Sequence, residues 1–335
     1  MLRKYSIGLR LTLAFSFLTL ILAITSVVSI YKINVISKQI NTVVDLRIPT
    51  SQASASVLNG INHALAALRG WMLLGKDKFR IERQLAWDTE IIPAIALLDK
   101  MSVNWTNPEN KAHLNEVKTL LRSFEKEQLK IEDIAQTPQN IPSMAMLYGQ
   151  AAPQASIMAS KITNLIDIEL TLEATDQRKA LLGMMADVRG TLGLGIANIR
   201  GYLLSGDESY RTNFAQLWRK NQRRFSDLTK QQNLLNSKQQ EAFSDYNKAK
   251  DIFQLLPQQM LTSRAQDDWN LANHWLATKA APLGFQIKVI LDKMTINQKE
   301  LLANDAIELL DTSETAKLHA WIILFIGTVI AFTLS

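Results

Sequence analysis

The segment Arg69-Gly70-Trp71-Met72-Leu73-Leu74-Gly75 returns 131 residues later as Arg200-Gly201-Tyr202-Leu203-Leu204-Ser205-Gly206. The match continues at the same offset through Phe79/Tyr210, Arg80/Arg211 and Trp87/Trp218. Asn107 and Asn236, each at the start of a predicted helix, are 129 residues apart, as are Ala151-Ala152-Pro153 and Ala280-Ala281-Pro282. Landmarks in one order at nearly constant spacing mean that one supersecondary unit is present twice. The copies cover residues 51–175 and 176–317.

Each copy reads as four helices. In the first, apolar residues at Val57, Ile61, Leu65, Leu68 and Met72 recur in steps of three and four, a helical stripe. Gly75 is expected to end that helix and Asp77 to cap the next. Asn107-Pro108-Glu109 reads as a helix start, and Thr137–Ser143, with Pro138 and Pro142, separates the third helix from the fourth. The second copy breaks at Ser205-Gly206-Asp207, near Asn236-Ser237 and around Thr262–Asp268, where Asp267-Asp268 beside Trp269 reads as a helix start. No alternating strand pattern occurs, so the expected fold class is all-α: two four-helix-bundle modules, one per repeat. Both ends of such a domain return to one membrane face after an even number of passes, which eight helices give if the chain reverses between the copies; a straight helix there would require one reversal elsewhere. Leu172–Gln177, with Thr175 as a cap, is the expected place.

Two apolar runs frame the repeats. Leu11–Tyr31 is uncharged for 21 residues, and at about 1.5 Å per residue it spans roughly 30 Å of hydrocarbon. Arg3, Lys4 and Arg10 precede it, so the positive-inside bias places residues 1–10 in the cytoplasm. A cleaved signal peptide also starts basic and turns apolar, but this run is longer and lacks an A-x-A site. The second run, 318–335, begins after Lys317, carries Trp321 and reads as a transmembrane helix cut short. Residues 32–317 would then form a periplasmic domain of an inner-membrane protein. The helix from Lys32 to Leu74 is expected to kink at Ile48-Pro49.

Charge and residue types exclude several functions. Residues 32–317 carry 34 basic and 31 acidic side chains, a net of +3, with no basic stripe of the kind nucleic acid requires. There is no cysteine, hence no disulfide or thiolate metal site. His63, His113, His274 and His319 show no metal-ligand spacing, and no triad, phosphate loop or cofactor motif appears. The glycine-crowded stretch Gly183, Gly190, Gly193, Gly195, Gly201 reads as close helix packing or a pliable segment.

Arg69 precedes the turn at Gly75 by six residues and Arg80 follows it by five, so both stand at one height on neighbouring helices; Trp87 is seven residues past Arg80 and faces the same way. Trp71 belongs to the same tip. Arg200, Arg211, Tyr202 and Trp218 repeat the set, and Arg189 lies three turns below Arg200. One reading is a carboxylate clamp, in which guanidinium groups bind an organic acid by paired hydrogen bonds. The other is a structural brace of each hairpin tip that duplication copied.

The RG-aromatic-x-L-x-G hairpin, especially Arg200–Asp207 (RGYLLSGD), resembles one found in CHASE3-type domains and in the helical bimodular domain of methyl-accepting chemotaxis proteins. Two copies between two membrane helices resemble the helical bimodular type most. The resemblance implies a periplasmic chemoreceptor sensor region that forms a homodimer and binds a small organic acid. It would pass a helix shift to a cytoplasmic histidine kinase and coupling protein through a C-terminal region outside these residues. The input region of a sensor histidine kinase or diguanylate cyclase, or a non-signalling helical membrane protein, shares the same layout.

Overall fold

The computed structural model describes residues 6–334. Arg3, Lys4 and Ser335, and the side chain of Arg10, lie outside the described residues. All regular structure among the described residues is helical. The first repeat contains α2 (Ile48–Leu74), α3 (Asp77–Ala86), α4 (Ile92–Ser102), α5 (Pro108–Ala135), α6 (Pro142–Met146) and α7 (Ala152–Glu169), preceded by α1 (Ile7–Thr42). The second contains α8 (Asp176–Ser205), α9 (Glu208–Lys230), α10 (Ser237–Phe253), α11 (Leu256–Arg264), α12 (Leu271–Trp275) and α13 (Ala281–Leu334), the last running on through the second apolar stretch.

Four joints between these helices are single π turns: Val43–Arg47, Trp87–Ile91, Leu147–Ala151 and Leu276–Ala280. Each is followed by one residue and then a proline: Pro49, Pro93, Pro153 and Pro282. Proline lacks the amide that would bond the carbonyl four residues back, and its ring collides with that carbonyl. One extra residue in the turn relieves both problems. Ile48, Ile92 and Ala152 accordingly bond five residues back, to the carbonyls of Val43, Trp87 and Leu147. The Ile48-Pro49 break expected from sequence is thus a π turn in a helical line that continues from α1 into α2.

The chain folds as two compact units whose borders cut across the repeats. Unit 1 comprises residues 1–70, 76–125 and 281–335; unit 2 comprises 71–75 and 126–280. These borders differ from those of the repeats: α5 is one unbroken helix with residues in both units, and α13 carries the end of the second repeat into unit 1. The core of unit 1 draws on α2 (Val57, Ile61, Leu68), the α3–α4 line (Trp87, Ile91, Leu98), α5 (Val117, Phe124) and α13 (Ile287, Met294). In unit 2, α8 packs on α9 and α7, and α7 on α10. Met185, Val188, Phe225, Tyr246 and Met260 belong to one buried cluster there.

Caps mark several turns. Thr175 accepts from the Arg178 amide at the start of α8, and Asn236 forms a reciprocal capping box with Gln239. Two expected starts are corrected. Lys76, not Asp77, is the cap residue of α3, because the chain is already helical at Asp77. Asn270 caps α12 by accepting from the Asn273 amide, whereas Asp267-Asp268 lies in the preceding turn.

Among the described residues, two helical stretches are long and apolar enough to cross a membrane, Ile7–Leu74 and Asp176–Ser205. The apolar window of the first is 0% buried, whereas 33% of the second's is, and α8 supplies the core of unit 2. In unit 1, α1 packs along α13. Leu18, Ile21 and Leu22 share a groove with Ala320, Ile323 and Leu324.

The glycines of α8 divide into two groups. A Cβ on Gly201 would lie 2.6 Å from the Tyr210 ring, whereas one on Gly183, Gly190 or Gly193 would meet nothing within 4 Å. Close packing therefore explains Gly201 and not the other three, and Gly195 has only ordinary contact with Phe214. Gly190→Ala and Gly193→Ala are each expected to stabilise the protein by about 0.5–1 kcal/mol, since exposed helical glycine costs that much relative to alanine. Gly201→Ala should destabilise it by about 1–3 kcal/mol through overpacking. Thermal denaturation of the three variants checks both signs.

Candidate functional site

Packing accounts for the glycines of the duplicated hairpins. The Phe79 ring lies over Gly70 and the Tyr210 ring over Gly201, at positions where a Cβ would approach ring atoms to 2.5 and 2.6 Å. Gly75 and Gly206 turn the chain with φ of +60° and +74°, which glycine adopts without penalty. Carbonyls at the end of the first helix of each hairpin are then capped from a distance. Gln136 Nε2 donates to the Trp71 and Met72 carbonyls at 2.7 and 3.1 Å, and Arg264 Nε donates to that of Leu203 at 2.9 Å. The Arg264 guanidinium also lies 3.8 Å from the Trp269 ring centroid. Trp71 Nε1 donates to the Glu132 carbonyl at 2.8 Å. Tyr202 donates to Glu208 at 3.2 Å, and burial together with that carboxylate pushes its phenol above the ordinary range.

The arginines expected to form an inward clamp face outward. Arg69, Arg80, Arg189, Arg200 and Arg211 are all exposed in this chain. Arg80 pairs with Asp77 at 3.6 Å and Arg211 with Glu208 at 3.4 Å, each one turn along its own helix. The phase of the buried stripe explains this. In α2 the buried positions run Val57, Ile61, Ala64, Leu68, and in α8 Met185, Val188, Leu192, Ile199, Tyr202. Arg69, Arg189 and Arg200 each follow a buried residue by one, which turns them some 100° away from the core. The aromatic members face inward. Trp87 and Tyr202 are buried and Trp71 and Trp218 half-buried. Trp87 packs on Phe124, and Trp218 stacks on Phe214 and tilts against Phe253.

The polar groups that do face inward were not singled out by pattern. In unit 2, Arg178 Nη2 and Gln239 Nε2 both donate to Glu169 Oε2 at 2.7 Å, and Arg178 Nη1 donates to the Leu234 carbonyl at 3.1 Å. This knot joins α7, α8 and α10. Higher in the same unit, Asn221 donates to the Val188 carbonyl and to Thr191, and burial pushes the nearby Tyr246 phenol up. On the α8–α9 face, Asp187 binds Lys220 at 2.7 Å and Arg224 at 2.8 Å; above all the Lys220 hydrogen bond holds its carboxyl below the usual range. A depressed folded value means this tie stabilises the fold above the unfolded pKa of about 4 and is lost as pH falls through the folded one. Asp187→Asn should remove that part of the acid-denaturation profile.

Arg47 is, with Arg83, a buried charge of unit 1. It lies in the π turn before Pro49 with its side chain 5% exposed, and its Nε meets Asp305 of α13 at 3.0 Å. Its Nη1 has no hydrogen-bond partner. A polar cleft of about 600 Å³ adjoins it, lined also by Lys38, Asp45, Asn104 and Thr106. The extra residue of the π turn shifts the helical phase at this point. A reading at 3.6 residues per turn therefore does not bring Arg47 inward; the sequence signals are the nearby Pro49 and the return of Arg47 as Arg178 at the 131-residue offset.

No family model matches the chain, and no curated protein matches it. Paired donors, acceptors and opposite charges around clefts can bind and hold.

Proposed function

We propose that this chain is the sensory input region of a membrane receptor, binding a small organic acid and passing a helix shift across the membrane. In this reading residues 11–31 and 318–335 are membrane helices, residues 32–317 form a periplasmic pair of four-helix bundles, and the protein acts as a homodimer. The observation that carries it is the joined stem of unit 1. The apolar α1 runs by way of one π turn into α2, α13 returns alongside α1, and Arg47–Asp305 pins the two lines together. A ligand that moves the core against this pair moves both membrane helices, and shifts of about 1–2 Å suffice for switching between packed helices.

The resemblance of the RGYLLSGD hairpin to chemoreceptor sensor domains supports a chemotaxis output through a cytoplasmic histidine kinase and coupling protein. The exposed arginines of the hairpin tips become a carboxylate clamp where a second copy covers them, so the homodimer and the organic acid belong to one reading. Calorimetry of the full chain in lipid nanodiscs against acetate and a series of dicarboxylates tests it. Saturable binding that is lost in Arg69→Ala or Arg200→Ala is the expected result. Absence of binding by every acid, or affinity unchanged in both variants, would reject the clamp.

A further inference from the structure

The cleft beside Arg47 carries a chemistry of its own. Its lining includes two cations, Lys38 and Arg47, and one carboxylate, Asp45, together with Asn34, Asn41 and Asn104. Neither the Lys38 ammonium nor the Asp45 carboxylate has an ion-pair partner among the described residues. Arg47 spends its Nε on Asp305 and leaves Nη1, a buried donor, without an acceptor. A buried N–H that lacks a partner costs free energy, and an incoming carboxylate oxygen would satisfy it. An anion alone meets repulsion from Asp45, and a cation alone meets Arg47 and Lys38. A molecule with both charges close together satisfies all three.

We infer that this cleft is a binding site for a compact zwitterion of the free α-amino acid class, with the carboxylate on Arg47 Nη1 and Lys38 and the ammonium on Asp45. The asparagines offer amides to the remaining polar atoms. The cleft's volume of about 600 Å³ falls in the range of about 300–1,000 Å³ usual for small-molecule sites. A phosphatidylethanolamine headgroup has similar charges. However, Arg47 is 16 residues beyond Tyr31, about 24 Å along a helix, whereas the headgroup layer extends only about 5–7 Å beyond the hydrocarbon. That height favours a soluble ligand. The site is separate from the hairpin tips and stands whether or not these bind an organic acid.

The test uses the full chain in phosphatidylcholine nanodiscs, with each protein L-amino acid added in turn and the unfolding midpoint of unit 1 followed by hydrogen exchange. At least one amino acid should raise the midpoint. Its analogue lacking the amino group and its analogue lacking the carboxylate should not. Asp45→Asn, an exposed position, should weaken binding at least tenfold and leave the unliganded midpoint in place. Arg47→Lys, which keeps a cation for Asp305 but removes Nη1, should weaken it likewise. The inference is overturned if no amino acid shifts the midpoint, if the analogue without an amino group binds as well, or if Asp45→Asn binds unchanged. A shift produced only by phosphatidylethanolamine would assign the cleft to lipid and overturn it too. Failure of every amino acid alongside saturable binding of acetate or a dicarboxylate would leave the organic-acid reading intact and remove only this one.

Discussion

Arg47→Ala is expected to destabilise unit 1 by about 3 kcal/mol, the lower end of the range for breaking a buried ion pair. The lower end applies because the Asp305 side chain keeps 23% exposure and can recover some hydration once its partner is gone. Asp305→Ala should cost at least as much, since the guanidinium it strands has a side chain only 5% exposed. The double variant Arg47→Met, Asp305→Leu, with apolar groups of similar volume, should return most of the stability, because a buried pair often does no better than a well-packed apolar substitute. Hydrogen exchange of the buried amides of α2 and α13 measures all three. A double variant no more stable than either single one would show that the two groups act separately. Under the proposed function, the same double variant should abolish any coupling of ligand binding to α1 and α13, since the pin between them is gone.

The second large effect belongs to the knot of unit 2. Arg178→Ala strands the Glu169 carboxylate, whose side chain is 2% exposed and which retains only Gln239 as a donor. About 3–4 kcal/mol is expected from the loss of one partner of a buried pair. Glu169→Gln should cost less, about 1–2 kcal/mol, because the amide oxygen still accepts hydrogen bonds and only the charge assistance is lost. Urea denaturation read in unit 2 gives the order. Equal losses in the two variants would mean that charge at this site is immaterial and that packing alone holds α7, α8 and α10 together.

Where periodicity and turn chemistry act locally, the fold was legible. Gly75 and Gly206 ended their helices, Thr175 and Asn236 capped theirs, and the repeat of Ala-Ala-Pro marked two of the four π turns. Pairing between distant elements was not legible. The repeat suggested one module per copy, yet α5 and α13 distribute the copies over both units, since a helix joins whichever core its buried face meets. The site was the least legible part. Arg69 and Arg200 drew notice by recurring, and the glycines beside them recur because they accept the rings of Phe79 and Tyr210. Arg47 recurs as Arg178 at the same offset of 131, but it lies in a π turn that changes the helical phase, so a fixed period could not bring it inward.

In the proposed receptor, one pinned pair of helical lines links a domain outside the membrane to spans within it. The chain has no native cysteine, so single cysteines report cleanly. Glu116→Cys in unit 1, Arg223→Cys in unit 2 and Ser6→Cys before α1 are exposed positions for a membrane-impermeant maleimide applied to intact cells. Labelling of the first two and protection of the third until the cells are lysed is the expected result. Protection of Glu116→Cys and Arg223→Cys in intact cells, with labelling only after lysis, would contradict it.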